Sequence, residues 1–294
     1  MGNRVRSFPG SDYLRSLLAR YRHVNKALFE EVLDLHGPPL TGEAVNHVSP
    51  IFVLSTGRCG TKWMTENLSL SKQVYITHEP IPRLFLQSVD AYHSHGENQE
   101  LFVKMIRAAR DDLMAVSVRS NRLYIETNNR LSFLAPAIAE AYPNSKFMHL
   151  FRHPADFVRS AMRRNYYGGN QFDSSRISME DKNSWGKLSQ FEKSCWLWNE
   201  TNAYICDFLD KMPMDRKIKI QSEKMWSEQE SMPTIMNFMG VSDISQESIY
   251  QLQKKRVNIQ KSGKFVTYQD WSGEQKQQLQ KWCPLAAELG YDLE

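Results

Sequence analysis

The chain has 294 residues, enough for one large domain or two small ones at roughly 150 residues per domain. Hydrophobic residues make up 41% and charged residues 24%, which excludes wholesale disorder. The 37 Lys and Arg against 33 Asp and Glu leave a net charge of +4, too little to coat a nucleic-acid polymer but suited to an anionic small ligand.

The first residues, MGNRVRSFPG, hold no apolar run of the signal-peptide kind, and Arg6 stands where a myristoylation pattern needs Ser or Thr. Residues 11–36 repeat apolar side chains at helical spacing (Leu14, Leu17, Leu18, Tyr21, Val24, Leu28, Val32, Leu35), with Ser11 as a cap and Gly37-Pro38-Pro39 as a stop. This predicts an N-terminal helical segment over residues 1–45, either packed on the main domain or serving as the contact of a homodimer. Residues 46–294 then form the main domain.

From residue 51 the pattern becomes α/β. Strands are expected at 51–55, 73–77, 121–126, 146–151 and 217–221. Helices are expected at 61–70, 97–115, 131–141 and 155–164. Strands alternating with helices imply a central parallel sheet covered on both faces, a three-layer α/β/α domain. Residues 166–188 are polar, rich in Gly and Ser and without period, so they read as a long loop of the lid kind. No apolar run is long enough to span a bilayer. The four cysteines, Cys59, Cys195, Cys206 and Cys283, are scattered without a CxxC, which fits neither a zinc site nor a disulfide framework and points to the cytoplasm.

The first strand runs into Ser55-Thr56-Gly57-Arg58-Cys59-Gly60-Thr61-Lys62-Trp63. A strand, a Gly-bearing turn and a helix start converge backbone N–H groups and the positive end of a helix dipole on one point, which makes an anion site. Arg58 and Lys62 add charge and Thr61 a hydroxyl. The nucleotide-triphosphatase loop GxxxxGK[ST] is absent, and with it the hydroxyl that holds magnesium, so no metal is expected.

The stretch RCGTKW (58–63) resembles the first loop of the sulfotransferases that use 3′-phosphoadenosine 5′-phosphosulfate (PAPS), matching at Arg58, Gly60, Thr61 and Trp63. Cys59 and Lys62 depart from that pattern. A second signature of those enzymes is a strand-end Arg and a Ser eight positions on, both holding the 3′-phosphate; LFRHPADFVRS (150–160) carries Arg152 and Ser160 at that spacing. The run into it, Tyr142-Pro143-Asn144-Ser145-Lys146-Phe147, is similar to that of tyrosylprotein-type enzymes. A looser likeness near the C-terminus makes Arg256 and Lys261 candidate phosphate contacts. The resemblance covers residues 50–291 and implies a phosphate-loop sulfotransferase fold, PAPS as co-substrate, and an acceptor hydroxyl on a small molecule, sugar or lipid head group.

The chemistry needs a base for the acceptor hydroxyl and cations for the departing phosphate. The second strand ends in Thr77-His78-Glu79-Pro80-Ile81-Pro82-Arg83. His78 resembles the base of the cytosolic enzymes; Glu79, with its following Ile-Pro-Arg, resembles that of the tyrosylprotein and bacterial ones and is preferred. Since neighbours in an extended chain face opposite ways, only one of the two is expected in the site. The end of this strand is expected beside Arg58, with the two strands adjacent in the sheet. Trp63 reads equally as core or as a stacking partner. Arg159, Arg163 and Arg164 read as a solvated helix face, Glu223 as a structural hydrogen-bond partner, and His93 and His95 as loop residues.

Overall fold

The computed structural model describes residue 44 and residues 47–253 and 264–293. The predicted helix over residues 11–36 and the candidates Arg256 and Lys261 lie outside the described residues.

Five strands form one sheet: β1 (Ile51–Leu54), β2 (Val74–His78), β3 (Leu123–Thr127), β4 (Lys146–Phe151) and β5 (Lys217–Gln221). Their order is β2-β3-β1-β4-β5 and every pairing is parallel. Helix α1 (Thr61–Leu68) follows β1, α2 (Phe85–His93) and α3 (Gln99–Arg119) follow β2, and a 3₁₀ turn (Asn129–Leu134) with α4 (Ala135–Ala141) follows β3. Helix α5 (Pro154–Arg163) follows β4. A short α6 (Lys182–Lys187) and the long α7 (Gln190–Asp210) lead to β5. Beyond β5 lie α8 (Ser222–Ser227), α9 (Ser231–Met239), α10 (Gln246–Gln253), α11 (Gly273–Trp282) and α12 (Leu285–Glu288).

The central strand β1, Ile-Phe-Val-Leu, is buried along its whole length because helices cover both faces. Its side chains alternate. Ile51 and Val53 join a cluster with Trp63, Met64 and Leu68 of α1 and Met232, Ile235 and Met236 of α9. Phe52 faces the other way and meets the rings of Tyr124, Tyr142 and Phe147 at 6.1–6.2 Å between centroids. Strand order reverses at β1, so the crevice at the C-terminal ends of β1, β3 and β4 is where an open α/β sheet receives its ligand.

Two expectations are corrected here. Strands β1 and β2 are not adjacent, because β3 lies between them. Residues 166–188 are not a bare loop. Asp173 accepts from the backbone N–H groups of Tyr167, Gly169 and Asn170 at 2.8–3.0 Å, which folds the segment on itself without any apolar period. Ile177 is buried, the Tyr167 hydroxyl donates to its carbonyl at 2.7 Å, and Trp185 of α6 packs on Tyr167 and Trp196. Long helix α7 opens with a reciprocal cap: Ser189 accepts from the Glu192 N–H while Glu192 accepts from the Ser189 N–H. Trp196 and Trp198 are both buried on this helix.

His149 on β4 is wholly buried; its Nε2 lies 2.8 Å from Asn202 Oδ1 and its Nδ1 lies 3.9 Å from Cys206 Sγ. Burial pushes its pKa down to about 4. The unfolded chain binds a proton here from about pH 6.5 downward, and the folded chain does not until pH 4, so stability present above pH 6.5 is lost as pH falls. The expected loss at pH 5 is about 2 kcal/mol relative to neutral pH. Urea unfolding at the two pH values checks it, and His149→Gln should flatten the difference.

Candidate active site

The turn after β1 takes a left-handed backbone at three positions, Gly57 (φ 75°), Arg58 (φ 62°) and Gly60 (φ 87°). Ser55 Oγ accepts from the Gly57 N–H at 3.1 Å, and the Ser55 N–H donates to Ser132 Oγ at 3.0 Å, which ties the loop to the 3₁₀ turn after β3. Gly60 is required twice over: its φ is positive, and a Cβ there would come within 2.6 Å of Trp226 Cζ2. It precedes α1, whose N-terminus has no side-chain cap and so keeps its donors for a ligand.

The signature residues meet at this loop. Arg58 Nε donates to Ser160 Oγ at 3.2 Å, and Arg152 Nη1 donates to the Arg58 carbonyl at 3.3 Å. Arg152 also pairs with Asp156 at 2.9 Å and lies over the Trp226 ring at 5.7 Å. Its Nε is buried with no hydrogen-bond partner, as is Nε of Arg164. A buried N–H without an acceptor is costly, and two of them among guanidinium groups describe a place for an anion. Burial, then Arg164 and Arg152, hold the Arg58 guanidinium below its ordinary value.

Serine 222 fixes the floor: its hydroxyl lies 2.8 Å from the carbonyls of both Cys59 and Phe151, joining the loop to the end of β4. Glu223 accepts from the His153 N–H and the Tyr291 hydroxyl, both at 2.9 Å, the structural duty read from the sequence.

Cys59 contributes no side chain to this site. Its thiol is fully buried beside Thr56 at 3.2 Å, and burial raises its pKa to about 11. Trp63 is buried in the core between sheet and α1. The aromatic ring against the loop is Trp226, five residues after the end of β5, which sequence reasoning passed over. Arg164 was also missed as a site residue. It stands one helical turn beyond Ser160, on the same face, and that i, i+4 relation was the available signal. Nor is Arg159 merely solvated, since its Nε donates to the Phe265 carbonyl at 3.2 Å and tethers α5 to the chain after residue 263.

The end of β2 supplies the other half. His78 Nδ1 lies 3.1 Å from the Thr127 carbonyl and 2.9 Å from Thr127 Oγ1, which in turn lies 2.7 Å from Thr65 Oγ1 on α1. Burial lowers the His78 pKa; Glu79 and the Thr127 contact oppose this, and Lys62 and Arg83 add to it. An imidazole held uncharged, with Nδ1 toward a carbonyl, turns Nε2 outward as an acceptor. Glu79 follows with φ 48° and its N–H donating to the Thr127 carbonyl at 3.1 Å. That left-handed residue breaks the strand's alternation, so alternation no longer decides which of His78 and Glu79 faces the site. Lys62 and Arg83 are exposed at the rim. Among the described residues, no group of three or more His, Cys, Asp or Glu could hold a metal ion.

A central five-stranded parallel sheet flanked by helices, whose first strand runs into a glycine-bearing loop met by Arg152 after β4 and Ser160 on α5, is the α/β architecture of this chain. A family model described as the sulfotransferase family matches residues 50–245, and the chain belongs to that family. A sulfotransferase from Alicyclobacillus acidocaldarius has a similar structure, with TM-score 0.52 and 17% identity over 83% of this chain and 96% of that one. The sulfotransferase domain from the curacin biosynthetic pathway is similar at TM-score 0.50 and 16% identity, over 84% of this chain and 99% of that domain. Both likenesses are of fold. No curated protein matches the chain significantly.

Proposed function

We propose that the chain moves a sulfuryl group from PAPS to an acceptor hydroxyl and releases 3′,5′-adenosine bisphosphate. The observation that carries this reading is the buried, unpartnered Arg152 Nε beside Arg58 and Ser160. An anion held there relieves it, and the spacing is that of a 3′-phosphate grip. Arg152 and Ser160 hold the 3′-phosphate. The backbone of residues 58–62, with the Arg58 and Lys62 side chains, takes the 5′-phosphosulfate and stabilises charge on the departing phosphate oxygen. In the transfer, the acceptor oxygen forms a bond to sulfur, the bond from sulfur to the phosphate oxygen breaks, and the hydroxyl proton passes to a base at the end of β2. We assign that base to Glu79, with His78 beside it. The acceptor is a small molecule, a sugar or a lipid head group. No helix among the described residues is long and apolar enough to cross a membrane, and with four free, buried cysteines a reducing cytoplasm suits the chain.

Calorimetric titration with adenosine 3′,5′-bisphosphate and with adenosine 5′-phosphate tests the reading. Arg152→Ala is expected to weaken the bisphosphate by about 1.5–3 kcal/mol, the worth of a charge-assisted contact, and to leave the monophosphate nearly unchanged. An equal loss for both ligands would remove Arg152 from the 3′-phosphate.

A further inference from the structure

We infer that the acceptor of this site carries a carboxylate in addition to the hydroxyl to be modified, received between Arg130 and Arg176; this rests on the sulfotransfer reading above. A cavity of about 30 Å³ lies next to the phosphate loop, lined by Ser55, Thr56, Arg130, Phe133, Tyr166 and Arg176 among others. A space of more than about 10–15 Å³ by this measure admits at least one water-sized polar group, so the cavity can receive a small anionic head such as a carboxylate.

The charges around the cavity are unequal. Arg130 lies over the Phe85 ring at 4.9 Å, and its Nη1 donates to the Ser175 carbonyl. Among the described residues, no carboxylate comes within ion-pair distance of it. Arg176 lies on the Tyr166 ring at 3.8 Å and pairs with Asp173 at 2.7 Å. That carboxylate is already shared among the N–H groups of Tyr167, Gly169 and Asn170. Burial and Arg176 push the Arg130 guanidinium below its ordinary value, while Tyr166, Glu79 and Tyr167 act the other way. Two guanidinium groups thus face one small space with a single, heavily shared carboxylate in contact. An incoming anion relieves their repulsion and gains charge-assisted, bidentate hydrogen bonds. Since Ser55 and Thr56 open the phosphate loop, a carboxylate seated here holds its own molecule's hydroxyl near the sulfur donor.

The test uses the full chain saturated with adenosine 3′,5′-bisphosphate near neutral pH. The probes are two acid and amide pairs, 4-hydroxyphenylacetate with its primary amide and 3-hydroxyoctanoate with its primary amide, titrated calorimetrically. At least one acid is expected to bind about tenfold or more tightly than its amide. Arg130→Gln should bring that ratio close to one, and Arg130→Lys should retain part of it. If Arg130 merely braced residues 166–188 through Ser175, both probes of a pair would weaken together and the ratio would stand. Equal binding of acid and amide in both pairs, no binding of either acid, or a ratio untouched by Arg130→Gln overturns the inference. The preliminary bisphosphate titration separates the two readings. A chain that fails to bind it loses the sulfotransfer assignment, whereas one that binds it without preferring the acids loses only the carboxylate.

Discussion

Replacing Arg110 by leucine is expected to cost about 3–5 kcal/mol of stability, the range for stripping one partner from a buried ion pair. Arg110 on α3 and Glu126 on β3 have no exposed side-chain surface. They meet through two parallel bonds, Nε to Oε2 at 2.7 Å and Nη2 to Oε1 at 2.9 Å. Glu126 accepts further from the Tyr124 hydroxyl at 2.8 Å and Asn128 Nδ2 at 3.1 Å, so its oxygens are fully engaged. Burial alone works against the Arg110 charge, but Glu126 outweighs it and holds the guanidinium above its ordinary value. Leucine in its place leaves a carboxylate in the core with two neutral donors and no counter-charge. The paired change Arg110→Leu with Glu126→Leu should recover much of the loss, because replacing a buried pair with apolar residues is often neutral. Urea unfolding of the single and double variants measures both. A single variant within about 1 kcal/mol of the parent chain would show that the pair is not holding α3 to the sheet. The same arginine donates from Nη1 to the Pro82 carbonyl at 3.1 Å, so it also ties down the chain that follows Glu79. Loss of the pair is therefore expected to loosen the end of β2 along with the core.

Features confined to a short stretch were legible in the sequence. Strands β4 and β5 have the bounds expected of them, because each is an apolar or alternating run ended by a turn or a helix start. The loop at residues 55–63 was readable because strand, glycine turn and helix follow without a break, and Arg152 with Ser160 because one helix start fixes their separation. Relations between distant segments were not legible. Nothing in residues 73–77 says that β3 will insert between that strand and β1, since sheet order is settled by crossover connections and shared burial rather than by local pattern. Trp226 beneath Gly60 and Arg164 beside Arg58 come from chain far removed in sequence. The Arg110 and Glu126 pair was hidden for a related reason: in sequence each looks like a solvated charge, and only the stacking of α3 on β3 buries them together. Residues 166–188 escaped because Asp173 orders them through polar bonds to three backbone N–H groups, which leave no hydrophobic period to read.

The end of β2 carries the largest expected effect on rate. Glu79→Gln, nearly isosteric, is expected to lower kcat about 100-fold or more, equivalent to about 2.7 kcal/mol in the barrier, with PAPS affinity unchanged. The carboxylate makes no side-chain hydrogen bond or ion pair among the described residues, so it is available to an incoming hydroxyl. Its backbone takes a left-handed turn that an L side chain adopts at a cost, the kind of strain that persists where the surroundings hold a group in place for use. His78 is a competent rival. Its Nδ1 is anchored on Thr127, its Nε2 is free among the described residues, and burial keeps it uncharged at neutral pH. Yet it is also bound into the chain of hydroxyls Thr127 and Thr65, and Thr65 bonds back to the Thr61 carbonyl, a role that braces the start of α1 as readily as it moves a proton. His78→Asn should therefore cost clearly less in kcat than Glu79→Gln, measured as steady-state turnover of labelled PAPS with a saturating acceptor. The opposite ranking, with His78 essential and Glu79 dispensable, would transfer the proton to the imidazole. In that case the fall in rate on acidification would track protonation of a histidine whose pKa lies below the usual 6.5, rather than that of a carboxylate.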